Sequence, residues 1–174
     1  NRELRHTTRD APDFDKLMRY RLAILEKHDL KLTDIQQAIA TVRPLEDAKQ
    51  FLDKLRATVQ VIILSDTFEQ FASPLMEQLN WPTLFCHRLV VKNDRITDYK
   101  LRMVEQKKNT VAAFKSFNYH VIAAGDSFND IAMLCEAHAG FLFRAPDQIK
   151  KQFLQFKAAE THPGLTKLIK EAMT

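Results

Sequence analysis

The chain has 174 residues, 45% of them apolar and 28% charged, with a formal net charge of +4. That length and balance suit one globular domain, with at most a small subdomain, and exclude a disordered chain. The positive surplus is interleaved with acids and forms no stripe with stacking aromatics, which argues against nucleic acid as a partner. No apolar run is long enough to span a bilayer, so no membrane role is expected. The only glycines are Gly125, Gly140 and Gly164. They allow neither a GxGxxG fingerprint nor a Walker A loop. Cys86 and Cys135 lie far apart, form no CxxC, and are expected as buried free thiols in a reducing, cytoplasmic setting. The six histidines form no HxH or HExxH, so a zinc site is not expected.

The first eleven residues are polar and aperiodic. From Pro12, the residues Phe14, Leu17, Met18, Leu22 and Leu25 recur at helical spacing, with Asp10 as a candidate N-cap. A second helix is predicted from Thr33, where Thr33-Asp34-Ile35-Gln36 reads as a capping box, to about Thr41. Pro44 ends it and opens a third, Leu45 to Leu55. The β-branched run Val59 to Leu64 then suits a strand buried on both faces, ending at Ser65-Asp66-Thr67. A helix follows from Phe68 to Leu79. Leu84 to Val91 and Arg95 to Leu101 read as a hairpin turning at Lys92-Asn93-Asp94. Lys107 to Phe117 is helical, His120 to Ala124 a strand, Asp130 to Ala137 a helix and Phe141 to Phe143 a short strand. Helices are expected over Gln148 to Phe156 and Leu165 to Met173, separated by Pro163-Gly164. Residues 1–43 thus read as a small helical segment. Residues 44–174 alternate helix and strand, as in an α/β core with a doubly wound parallel sheet.

Chemistry concentrates at Gly125-Asp126-Ser127-Phe128-Asn129-Asp130. A buried strand ending in Gly-Asp and turning into a helix places polar groups at the carboxyl edge of a sheet, where open α/β sheets bind ligands. Asp126 and Asp130 flank the turn, and one or two carboxylates beside a phosphate suit Mg²⁺. Ser65 ends an earlier strand, and Lys107 begins the helix leading to the next. Strand carboxyl ends and helix amino ends share one edge of a parallel sheet, so Ser65, Lys107, Asp126 and Asp130 are expected to converge. A hydroxyl, an ammonium and a carboxylate pair would serve phosphoryl transfer. Each group also has a plain structural use: Ser65, Ser127 or Asp126 as a helix cap, and Lys107 as a solvated surface residue.

Leu64-Ser65-Asp66-Thr67, then Lys107, then Gly125 to Asp130 resemble motifs II, III and IV of the haloacid dehalogenase superfamily. The closest resemblance is to its phosphoserine phosphatases, and within them to the bifunctional phosphoserine phosphatase/homoserine phosphotransferase branch. That branch has Ser-Asp-Thr-Phe where others have Ser-Gly-Gly-Phe, an Ala-Ala-Gly-Asp-Ser run, and a Thr-Thr-Arg-Asp segment, here Thr7 to Asp10. The resemblance implies that residues 1–43 form a cap over a Rossmann-like core, 44–174. Ser65 would hydrogen-bond the phosphoryl group, and Lys107, with Lys108 as the alternative, would neutralise it. Asp126 would ligate Mg²⁺, Asn129 would contact phosphate or substrate, and Asp130 would support the metal shell and Lys107. Asp66 and Thr67 join the substrate-binding set. On the first helix, Phe14 would shield the site and Arg21 would pair with the substrate carboxylate; taken without the resemblance, Phe14 reads as core and Arg21 as a surface partner of Glu26 or Asp15.

The superfamily's first motif, whose leading aspartate becomes an aspartyl phosphate and whose second acid is the general acid/base, does not occur in residues 1–174. By the resemblance it lies upstream of Asn1 on a central strand, and residues 1–174 alone are expected to be inactive. The implied substrate is O-phospho-L-serine, with water and homoserine as candidate acceptors. Self-association as a homodimer is compatible with this reading. Two other readings stay open: a non-catalytic relative that binds a phospho-amino acid or a partner, and a phosphatase for another small phosphate ester.

Overall fold

The computed structural model describes residues 14–174, Phe14 by its backbone alone. The Thr7–Asp10 segment, the expected cap at Asp10 and the Phe14 side chain lie outside the described residues. In chain order the elements are α1 (Phe14–Lys27), α2 (Leu32–Ala40), α3 (Ala48–Arg56), β1 (Ile62–Phe68), α4 (Glu69–Gln78), β2 (Thr83–Lys92), β3 (Arg95–Lys100), α5 (Gln106–Ser116), β4 (Ile122–Gly125), α6 (Ile131–Glu136), β5 (Ala139–Phe143), α7 (Asp147–Gln152), β6 (Lys157–Ala159) and α8 (His162–Ala172). They fall into two compact units. One holds the described residues up to Leu45 with Val61–Arg102, and the other holds Glu46–Gln60 with Met103–Thr174. The segment expected as a cap therefore groups with β1–β3.

In the first unit β1 pairs with β2 in parallel and β2 with β3 antiparallel. The two-residue turn Asn93-Asp94 has positive φ at both positions, 49° and 64°. Asn and Asp tolerate that geometry, and such turns match the twist of a hairpin. The apolar stripe of α1 closes the unit: Met18 and Leu25 join Phe68, Leu89 and Ile96 in one buried cluster. Burial of side chains this size stabilises by roughly 1.5–3 kcal/mol each.

Two local devices in this unit were not anticipated. Lys31, not Thr33, precedes the first turn of α2, and its N–H donates to Asp34 Oδ2 at 2.9 Å. Thr33 instead donates its hydroxyl to Asp94 Oδ2 at 2.6 Å and its N–H to Asp94 Oδ1 at 3.2 Å. The hairpin turn thus caps the helix from a distance, and the expected capping box is displaced. Pro74 lies inside α4 and has no N–H for the carbonyl four residues earlier, that of Gln70. Gln36 of α2 donates its side-chain amide to that carbonyl at 2.8 Å. The backbone group that proline leaves unbonded thereby becomes the tie between α2 and α4.

In the second unit β4, β5 and β6 are parallel. Phe141, Ala159 and Leu165 form its buried cluster, with Phe51 of α3 and Leu168 and Ile169 of α8 against it. The helix expected over Gln148–Phe156 stops at Gln152, and a strand that was not expected, β6, follows at Lys157–Ala159. Lys157-Ala158-Ala159 has no strand propensity of its own; pairing with Phe141–Phe143 creates the strand. Of the thiols, Cys86 is buried as expected, but Cys135 is exposed. On the short helix α6, Met133 and Leu134 take the inward positions, which turns Cys135 outward. Among the described residues, β1 and β4 are edge strands of their sheets, although Ile62-Ile63-Leu64 and Ile122-Ala123-Ala124 are the kind of residues found in buried strands.

Candidate active site at the end of β4

Strand β4 ends at Gly125, and the chain bends through Asp126 and Ser127 into a single 3₁₀ turn, Phe128–Asp130, before α6. The bend is tight. A Cβ on Gly125 would lie 2.5 Å from Asp130 Cβ and 2.7 Å from its Cγ. Glycine is therefore required here by close approach rather than by an unusual φ. Asp130 reaches back under the bend: its Oδ2 accepts the N–H of Asp126 at 3.0 Å, the N–H of Ser127 at 3.1 Å and the Ser127 hydroxyl at 2.7 Å. Ser127 and Asp130 thus form a reciprocal cap.

The other carboxylate oxygen, Oδ1, lies 2.8 Å from Lys107 Nζ. Both side chains are nearly buried, 12% exposed for Lys107 and 7% for Asp130. Lys107 is the second residue of α5, where the positive end of the helix dipole disfavours a cation. Asp130 offsets that and fixes the direction of the ammonium. Burial pushes the Asp130 carboxyl pKa up, but the Lys107 charge and the donated hydrogen bonds outweigh it, and the net shift is below the usual carboxylate range. The lysine that reaches Asp130 is Lys107; Lys108 is half-buried at the next position.

Asp126 is exposed, because it is the backbone of Asp126, not its carboxylate, that Asp130 holds. Asn129 is also exposed, with its amide oxygen against the Ser127 hydroxyl. Among the described residues no three His, Cys, Asp or Glu side chains cluster as a metal site. The fit to Mg²⁺ rests on the donor chemistry. Asp126 offers a hard carboxylate at the end of β4, while the Asp130 oxygens are committed to nitrogen and hydroxyl donors. Mg²⁺ takes one or two carboxylates and completes its shell with waters and phosphate oxygens, so Asp126 suits it.

The remaining expected residues belong to the first unit. Ser65, Asp66 and Thr67 are half-buried at the carboxyl end of β1. Ser65 Oγ accepts the Thr67 N–H at 3.3 Å, and Asp66 Oδ1 lies 3.9 Å from His87 Nε2. Arg21 is half-buried on α1, with burial lowering its pKa. Asp15, which the residues alone offered as an Arg21 partner, is 3.5 Å from Arg19 and accepts the Tyr99 hydroxyl. Phe14 opens α1. The structure thus gathers Lys107, Asp126, Asn129 and Asp130 into one cluster and Ser65, Asp66 and Thr67 into another. Ser127 had no assigned part in the chemistry, although its Ser-x-x-Asp spacing is the sequence signature of the cap it forms. His87 carried no sequence signal at all.

The family model for haloacid dehalogenase-like hydrolases matches residues 4–138. The chain is 55% identical over 163 residues to phosphoserine phosphatase ThrH of Pseudomonas aeruginosa, covering 93% of this chain and 80% of that protein. It is 55% identical over 165 residues to a phosphoserine phosphatase of Pseudomonas syringae pv. tomato, covering 94% and 70%. A crystal structure of a phosphoserine phosphatase in apo form superposes with a TM-score of 0.74 at 23% identity, over 94% of this chain and 83% of that one, a likeness of fold. A strand-ending Gly-Asp bend locked by a buried Lys–Asp pair, on a chain matched through residue 138 by that family model, places this protein in the haloacid dehalogenase-like hydrolase family.

Proposed function

We propose that the protein is a Mg²⁺-dependent phosphoserine phosphatase. It acts through an aspartyl phosphate and passes the phosphoryl group to water and also to homoserine. The observation that carries the reading is 55% identity, over more than nine-tenths of the chain, to two proteins named phosphoserine phosphatase. The attacking aspartate is one that residues 1–174 do not contain.

In this reading the chain's own residues bind and polarise the phosphoryl group. Lys107 presents an ammonium whose direction Asp130 fixes, so little reorganisation is needed as charge shifts on the phosphoryl oxygens. Ser65 donates a hydrogen bond to the same group, with Asp66 and Thr67 shaping the turn that carries it. Asp126 holds Mg²⁺, which when bound neutralises phosphate charge. Asn129, exposed beside Asp126, contacts phosphate or substrate. Residues 1–43 act as the cap: Phe14 shields the site, and Arg21 pairs with the substrate carboxylate, a match of planar fork to planar acceptor.

The test is phosphate release from O-phospho-L-serine by the intact enzyme, with and without L-homoserine. Arg21→Ala should lower kcat/KM for phosphoserine by about 100-fold, as expected for a lost charge-assisted pair of roughly 2–3 kcal/mol. It should leave a carboxylate-free ester such as p-nitrophenyl phosphate within a few-fold. Equal losses on both substrates would remove Arg21 from its role. Absence of O-phosphohomoserine among the products would remove homoserine as an acceptor.

A further inference from the structure

The parallel pairing of β1 with β2 breaks where the motif residues lie. Leu64 pairs with Phe85 and Phe68 with His87, so β1 advances four residues while β2 advances two. Ser65, Asp66 and Thr67 leave the ladder, and strand pairing does not set their shape. Within the bulge, the contact from Thr67 N–H to Ser65 Oγ is long, at 3.3 Å.

Opposite the bulge stands His87, 4% exposed, its ring 6.1 Å from that of Phe68. Its Nδ1 accepts the backbone N–H of Arg102 at 3.2 Å. A backbone amide only donates, so the neutral imidazole carries its proton on Nε2. Arg102 is itself fixed: its Nε donates to the Cys86 carbonyl at 3.2 Å, and its guanidinium lies 4.8 Å from the Phe85 ring centroid. The carboxylate of Asp66 lies on the Nε2 side of the ring, with 3.9 Å between Nε2 and Oδ1. A shift of the turn by under about 1 Å would bring the two within hydrogen-bond distance.

We propose that His87 is a positioning residue: through Asp66 it sets the Ser65–Thr67 turn and so the place of the Ser65 hydroxyl against the transferring phosphoryl group. This rests on the phosphatase reading. Positioning of a group that acts in the transition state is read in kcat more than in KM. His87→Leu should lower kcat at least tenfold with KM within about twofold. His87→Gln, whose amide nitrogen reaches close to the position of Nε2, should restore most of it. In a double-mutant cycle with Asp66→Ala, the two losses should not add. The Ser65, Asp66 and Thr67 amide resonances should shift in His87→Leu while those of α8 stay in place. Parental kcat in His87→Leu, or losses that add, would overturn the proposal. If the parent enzyme turns over no phosphoserine, the phosphatase reading fails by itself. The positioning claim is then judged on the amide spectrum, where unmoved Ser65–Thr67 resonances in His87→Leu overturn it.

Discussion

Asp130 is the residue on which the candidate site turns. One carboxylate oxygen accepts three donors from the bend and the other holds Lys107. Spacing alone did not distinguish it from Asp126; only the resemblance gave it the part of supporting Lys107. The distinction comes from depth, since the close approach that Gly125 allows buries Asp130 and leaves Asp126 exposed. Because the Asp130 pKa is held down in the folded state, its contribution to stability is fully present above the ordinary unfolded carboxyl pKa, near 3.9, and is lost as pH falls through the folded value. Asp130→Asn, which leaves the Lys107 ammonium without its counter-charge, should cost about 3–5 kcal/mol at pH 7. The difference from the parent should shrink below about pH 4. Urea unfolding at pH 7 and pH 3 checks this, and a difference independent of pH would show that the carboxylate charge contributes nothing.

Elements were legible where local chemistry decides them and obscured where the partner decides them. Helix α1, the β2–β3 hairpin and strand β4 follow from apolar periodicity, turn residues and a β-rich run. Strand β6 and the cap of α2 depend on Phe141–Phe143 and on Asp94, which no local window contains. Gln70 shows the same dependence. Strand β1 ends opposite His87, and two residues further along β2 the side-chain amide of Gln70 takes over the role of a neighbouring backbone. Its Nε2 donates to the Leu89 carbonyl at 2.9 Å and its Oε1 accepts the Leu89 N–H at 3.0 Å. Gln70→Ala should cost roughly 1–3 kcal/mol by leaving both backbone groups unmatched. Thermal unfolding would register this as a lower Tm, and an unchanged Tm would contradict it.

At the scale of the whole molecule, the α/β class and the family were legible from three short motifs and from the alternation of elements, and the family match confirms both. The two-unit grouping, in which α1 and α2 pack with β1–β3 while α3 joins β4–β6, was not. Sequence order gives no weight to the Phe51 contact that draws α3 to α8. Among the described residues no helix is long and apolar enough to cross a membrane. In the proposed function, phosphate release depends on a metal held by Asp126. The most direct test is phosphate release from O-phospho-L-serine by the intact enzyme and by Asp126→Asn, each titrated with Mg²⁺ after chelation. The account predicts Mg²⁺-dependent turnover in the parent and a loss of at least 1000-fold in Asp126→Asn, about 4 kcal/mol of transition-state stabilisation. Turnover near the parental level in the variant would contradict it.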